Sequence, residues 1–172
     1  LKTNYQKKNE RTAFAAMQIL FENKMVTEIF KEGISNVNKN TLLRGRWEKV
    51  SNNPLIIADV AHNEEGFKEV VSEIKKIKSQ RKIFVLGFVK DKPIEKIIKL
   101  FPKEGIYLFS SPKISRAFSL ERLNLILKNT DINYKIFESI EEAYNKALNY
   151  ASKEDFIFVG GSNFTVSEIL NP

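Results

Sequence analysis

Leu55-Ile56-Ile57-Ala58 runs into Asp59-Val60-Ala61-His62-Asn63, and Phe67, Val70, Val71 and Ile74 follow at helical spacing. The apolar run fits a strand buried on both faces. The later residues keep the i, i+3, i+4, i+7 pattern of an amphipathic helix. The polar residues between them therefore fall where a strand ends and a helix begins. The alternation recurs downstream. Ile83-Phe84-Val85-Leu86, Ile106-Tyr107-Leu108-Phe109, Tyr134-Lys135-Ile136-Phe137 and Phe156-Ile157-Phe158-Val159 read as strands. Helical stripes lie between them: Ile94, Ile97, Ile98 and Phe101, then Leu120, Leu123 and Leu127, then Ile140, Ala143, Tyr144 and Ala147. Ser139-Ile140-Glu141-Glu142 is a capping box that starts the last of these.

Strands alternating with helices predict an α/β fold, a three-layer Rossmann-like domain with a mainly parallel sheet of about six strands. Upstream, Trp47 and Val50 read as a short strand and Asn52-Asn53-Pro54 as a turn. The hop to Leu55 is so short that only a hairpin fits, which predicts one antiparallel edge strand. Before it, Ala13, Phe14, Met17, Leu20 and Phe21 fall at helical spacing, and Val26, Ile29 and Phe30 suggest a second helix that Gly33 ends. Asn36 to Asn40 is polar and reads as a linker. The expected division is a helical segment with its linker at residues 1–43 and the α/β domain at residues 44–172. The helical hairpin is expected to need another body to pack on.

Of the 172 residues, 42% are hydrophobic and 28% charged, which is ordinary for a globular chain. No apolar stretch is long enough to span a bilayer. The start, Leu1-Lys2-Thr3-Asn4-Tyr5, is unlike a signal peptide and lacks Met, so a piece of a longer chain is expected. Cysteine is absent, which predicts a reducing compartment, the cytoplasm. The formal charge of +7 comes mostly from Lys scattered along helices, as at Lys68, Lys75, Lys76 and Lys78. Aromatic-flanked basic runs are lacking, so nucleic acid is not the expected partner, nor is a membrane.

In open α/β sheets ligands bind beyond the carboxyl ends of the strands. The polar residues expected there are Asp59, His62 and Asn63, then Lys90-Asp91-Lys92, then Ser110 to Arg116, then Gly160-Gly161-Ser162-Asn163. Asp59 suits ribose hydroxyls or, equally, a cap on the next helix. His62 is the single histidine, and a strand–helix junction favours contact with phosphate over a purely structural role. Gly160-Gly161-Ser162 admits a ligand to the backbone, or caps a helix. Arg44-Gly45-Arg46 offers a planar fork to a phosphate, or an exposed linker charge. Gly-Lys-Ser, Gly-Lys-Thr and G-x-G-x-x-G all fail to occur, so neither a P-loop nor a dinucleotide fingerprint is present.

Six segments in order resemble the C-terminal domain of the folylpolyglutamate synthase family, within the Mur ligase superfamily. Tyr5-Gln6-Lys7-Lys8-Asn9 is similar to the Tyr-Gln-x-x-Asn that closes the family's central ATPase domain. Gly45-Arg46-Trp47-Glu48 is similar to its Gly-Arg-aromatic-Glu entry, and Asp59 to Asn63 to its Asp-Gly-Ala-His-Asn signature. Gly87 to Lys92 resembles Gly-x-x-x-Asp-Lys, and Pro112 with Arg116 to Ser119 resembles Pro-Arg-Ala-x-Ser. Gly161 to Val166 resembles Gly-Ser-x-Tyr/Phe-x-Val. Val60 departs from the usual Gly. Asn63-Glu64-Glu65 stands where cell-wall ligases tend to carry Pro, as in the folate branch.

The resemblance implies a ligase. ATP phosphorylates a carboxylate, the amine of glutamate attacks the acyl phosphate, and phosphate leaves. It implies Arg46 and His62 as catalytic residues. Arg46 would reach the ATP phosphates, with Asp59, His62 and Asn63 on the nucleotide side. Lys92 and Ser162 would take the glutamate carboxylates. ATP and Mg2+ are the implied cofactors, the metal ligands and P-loop lying on the central ATPase domain of the same polypeptide. Folate and glutamate are the implied substrates, and a monomer is expected. The alternatives are another Mur-type ligase, such as a cell-wall peptide ligase, and a non-catalytic α/β binding module.

Overall fold

The computed structural model describes residues 3–22 and 26–170. The start at Leu1 and Lys2, the Val26 side chain and the end at Pro172 lie outside the described residues. Strand β1 (Glu48–Asn52) turns antiparallel into β2 (Leu55–Asp59). Strands β3 (Lys82–Gly87), β4 (Ile106–Ser110), β5 (Asn133–Ile136) and β6 (Phe156–Gly160) complete a six-stranded sheet ordered β1-β2-β6-β3-β4-β5. Every pairing except β1 with β2 is parallel. The antiparallel strand lies at the edge, as the hairpin spacing predicts.

Two cores form because the central strands are apolar on both faces. On one face Phe84, Tyr107, Phe109 and Phe158 meet helices α4 (Glu64–Lys76), α5 (Ile94–Ile98) and α6 (Leu120–Leu127). Phe84 stacks on Tyr107 at 4.6 Å and meets Phe101 edge-on at 5.2 Å. Such pairs add about 0.5–1.5 kcal/mol each beyond their buried area. On the other face Val85, Leu108, Ile157 and Val159 meet α7 (Ile140–Tyr150) and α8 (Asn163–Leu170). Three layers result. Ser139 caps the start of α7, its Oγ accepting from the Glu142 N–H at 3.1 Å.

The upstream segment departs from its expectations. Helix α2 (Val26–Ser35) runs through Gly33 instead of ending there. A Gly inside a helix costs about 1 kcal/mol relative to Ala but does not stop it. Asn36 to Asn40 is not an open linker: Val37–Thr41 forms α3, ended by Leu42 in the left-handed conformation. Trp47 lies just before β1 with φ at +51°, rather than on the strand. Phe14 of α1 (Asn4–Leu20) packs on Phe30 of α2 at 5.1 Å, which makes the hairpin. Ile19, Leu20, Phe21, Ile29 and Leu42 stay exposed among the described residues.

At the N-terminal end of β6 the buried Asp155 accepts from the Arg81 guanidinium at 2.6 Å, the Arg81 N–H at 2.9 Å and the Ser152 N–H at 2.7 Å. Arg81 first, and the Ser152 donors with it, hold the carboxyl down to about 2 against the opposing effect of burial. A depressed carboxylate stabilises the fold above its unfolded value and loses that contribution as pH falls through the folded value. Urea unfolding between pH 5 and pH 2 should show stability falling more steeply in the parent than in Asp155→Asn. The variant should be about 2 kcal/mol less stable near neutrality, the scale of a hydrogen-bonded charge.

Candidate functional site

Asp59 ends β2, and its side chain turns toward the face covered by α4. It is 2% exposed, yet three stretches of chain supply it with donors. The Trp47 N–H reaches one oxygen at 2.7 Å, and the Tyr5 hydroxyl of α1 donates to the same oxygen. The Ala61 N–H reaches the other at 2.8 Å. Burial raises the Asp59 pKa, while the hydrogen bonds from Tyr5, Ala61 and Trp47 and the charge of Arg46 pull it down, leaving a net rise. Burial, and then the Asp59 charge, push the Tyr5 phenol up as well. The carboxylate joins the helical segment, the entry to β1 and the signature loop.

The entry loop is shaped by its charges and by Gly45. The Glu48 carboxylate accepts from Arg44 Nε at 2.6 Å and from the Gly45 N–H at 2.7 Å. The Gly45 carbonyl accepts from the Val60 N–H at 2.9 Å. Gly45 has φ of +71°, and a Cβ there would lie 2.7 Å from Val60 Cγ1 and 2.9 Å from Val166 Cγ1. Val60, the departure from the usual Gly, thus spends its side chain filling the core beside Gly45. Next along the chain, Arg46 is exposed and makes no hydrogen bond among the described residues.

Asn63, not Asp59, caps α4, its Oδ1 accepting from the Gly66 N–H at 2.8 Å. His62 is exposed, with Nδ1 3.1 Å from the Val60 carbonyl. A carbonyl only accepts, so this contact needs the proton on Nδ1 and leaves Nε2 facing outward as an acceptor. Tyr5, Lys8, Arg46, Asp59, His62 and Asn63 border one cleft of about 420 Å³, a size that suits a small ligand. Glu65 and Glu69 also border it, and Glu69 takes Lys8 at 2.5 Å across from α1 to α4.

The other two candidates lie elsewhere. Lys92 is half-buried in a neighbouring cleft of about 260 Å³ with Lys90, Lys96 and Arg122. Ser162 is 2% exposed and caps the start of α8, accepting from the Thr165 N–H at 3.0 Å. Thr165 Oγ1 donates to the Gly87 carbonyl at 2.8 Å, so the 2.8 Å contact between the two hydroxyls must use the Ser162 proton. Gly161, with φ of +106°, presses so close that a Cβ would meet the Gly87 carbonyl oxygen at 2.4 Å. Tyr5 and Lys8 enter the cleft although neither stood among the expected site residues. Tyr5 sits in a segment with a family resemblance, but a bond across 54 positions leaves no periodic trace. Among the described residues, no group of three or more His, Cys, Asp and Glu is placed to hold a metal ion. No helix among them is long and apolar enough to cross a membrane.

The profile of the Mur ligase family's glutamate ligase domain matches residues 45–163, more than half of the chain. A dihydrofolate synthase/folylpolyglutamate synthase of Buchnera aphidicola subsp. Acyrthosiphon pisum is 37% identical over 150 residues, covering 86% of this chain and 35% of the relative. A UDP-N-acetylmuramoyl-L-alanyl-D-glutamate–2,6-diaminopimelate ligase of Prochlorococcus marinus is 29% identical over 143 residues, covering 74% of this chain and 28% of the relative. The Escherichia coli FolC protein, solved in complex with ADP, superposes with a TM-score of 0.67 at 29% identity, covering 74% of this chain and 31% of its own. The chain spans about a third of the length of these curated relatives.

Replacing Tyr5 by Phe removes the donor from α1 while keeping the ring. The Asp59 pKa should rise further, because that hydrogen bond lowers it. Carbon-13 NMR titration of the Asp59 carboxyl reads the change, and stability should fall by about 1–2 kcal/mol.

Proposed function

The chain belongs to the Mur ligase family through its glutamate ligase domain, and on that premise we propose that it is the C-terminal part of an ATP-dependent ligase adding glutamate to folates. Dihydropteroate is proposed as a second acceptor, and the cytoplasm as the place of action. Residues 1–43 are read as the tail of a central ATPase domain with its linker, and residues 44–172 as the domain that closes on it. The single observation that carries this reading is the cleft at the end of β2. It gathers Arg46, His62 and Asn63 beside a buried Asp59 that fixes the loops bearing them.

The chemistry runs in two steps. A carboxylate oxygen of the acceptor attacks the terminal phosphorus of ATP, and ADP departs. The amine of glutamate then attacks the acyl carbon, expels phosphate and gives up its proton. Arg46 is exposed at the mouth with its fork uncommitted, which suits contact with phosphate oxygens as charge redistributes between them. His62 offers Nε2 as an acceptor toward the nucleotide. Asn63 gives its Oδ1 to the helix cap, which leaves its amide N–H groups for the nucleotide. Asp59 is buried with both oxygens engaged, so it acts as a positioning residue for the loops it joins instead of a ribose ligand. Lys92 is the proposed contact for a glutamate carboxylate. Ser162 supports the same rim by holding Thr165, which ties α8 to the end of β3, and binds a carboxylate only where its bond to Thr165 opens.

The size of the cleft and its Arg46, His62 and Asn63 lining support a nucleotide as its occupant. ATP phosphates need a counter-ion as well, and Mg2+ is proposed to be held by the central domain. Closure would bring the acceptor, ATP and glutamate together and exclude water from a hydrolysable acyl phosphate. The likeness to a cell-wall ligase favours a second reading, an amino acid joined to a UDP-linked muramyl peptide. Feeding the full-length protein folates, dihydropteroate and UDP-linked muramyl substrates separates the two.

Full-length protein should consume ATP and incorporate glutamate into a folate. Arg46→Ala should lower kcat at least tenfold with a smaller change in KM for glutamate. An unchanged kcat removes Arg46 from the reaction. The 172-residue chain by itself should give no turnover, and glutamate incorporation by it alone would overturn the proposed division of the site.

A further inference from the structure

Several cations of this chain are answered by acids. Lys31, Lys68, Lys76, Arg81 and Lys103 each pair with Asp or Glu at 3.0 Å or less. The cleft between the loop after β3 and the start of α6 is different. Lys90, Lys92, Lys96 and Arg122 border it against one acid, Glu95. Lys90 donates to the Ser115 carbonyl at 2.9 Å, which fixes its head without neutralising it. Among the described residues, Lys92, Lys96 and Arg122 form no side-chain hydrogen bond or ion pair. The Arg122 guanidinium lies 5.4 Å from the ring of Phe118, so a buried aromatic holds it in place.

Two further facts narrow the ligand. About 260 Å³ is below the range of pockets that enclose drug-sized molecules, and Phe118 offers no open stacking surface, so a fused ring is a poor occupant. Helix α5, which carries Lys96, also packs on α4, the helix that Asn63 caps, through Ile94, Ile97 and Ile98 against Phe67, Val70 and Val71. Lys68 chiefly, and Lys96 with it, hold the Glu64 carboxyl at the start of α4 below its ordinary value. One incoming glutamate brings two carboxylates, and Lys92 serves one of them. Three more cations remain. A γ-linked glutamyl chain brings one free α-carboxylate per residue and no ring.

We propose that Lys90, Lys96 and Arg122, beside Lys92, form a subsite for the oligo-γ-glutamyl tail of the acceptor or product, a polycarboxylate chain. The inference rests on the glutamate-ligase reading above. The subsite retains the lengthening tail next to the reacting end, so longer-tailed acceptors bind better than short ones.

The test uses full-length protein and a fluorescein-labelled γ-linked tetraglutamate, followed by anisotropy at fixed ionic strength. The parent should bind it, and Lys96→Gln/Arg122→Gln should bind at least tenfold more weakly. Lys96→Arg/Arg122→Lys should restore most of the affinity. Both side chains are exposed, so the variants should keep the fold, which circular dichroism checks. In turnover, the neutral double variant should raise KM more for a triglutamyl acceptor than for a monoglutamyl one. No binding by the parent, equal binding by the neutral variant, or equal competition by inorganic tripolyphosphate each overturns the assignment. Tail binding without any glutamate ligation would instead sink the glutamate-ligase reading and leave the anion subsite standing.

Discussion

A carboxylate buried at the end of a strand must find donors, and the way Asp59 finds them organises the functional end of this molecule. An unpaired buried charge costs several kcal/mol, so its partners are effectively compulsory. Those partners come from α1, from the turn before β1 and from the signature loop, segments that share no secondary structure. The sheet could form without this junction. The cleft could not, because Arg46 and His62 are carried on the loops that Asp59 holds.

The α/β body was legible because its signal is local and repeated. Each of Leu55–Ala58, Ile83–Leu86, Ile106–Phe109 and Phe156–Val159 is apolar throughout, and only strands covered on both faces need that. The hairpin spacing before Leu55 settled the one antiparallel pair. The upstream helices were harder to read. Gly33 carries a strong local stop signal that α2 runs through, and the Asn-rich stretch breaks the helix only at Asn36 before α3 resumes it. Nothing lies within 4 Å of where a Gly33 Cβ would sit, so that glycine reflects no steric demand.

The site was legible in its members and not in its grouping. Sequence placed Asp59, His62, Asn63, Lys92 and Ser162 along one rim and Arg46 on the stretch that enters the sheet. Folding divides them: four border one cleft, Lys92 another, and Ser162 sinks beneath the surface as a cap. A rim is one-dimensional in the sequence, whereas which face of the sheet a side chain takes depends on register. The polar network through Ser162, Thr165 and Gly87 is set by contact between β3 and α8, across 78 positions. Such contacts follow from the fold and carry no motif.

The glycine at residue 45 and the valine at residue 60 occupy one space. With Val60 present, any side chain at 45 meets its methyl group; with a glycine at 60, much of that obstruction would vanish, leaving Val166 and the positive φ to resist the change. The two positions therefore form an epistatic pair. What residue 45 tolerates depends on what stands at residue 60, and substitutions taken one at a time would mislead anyone mapping the permissible sequences of this loop.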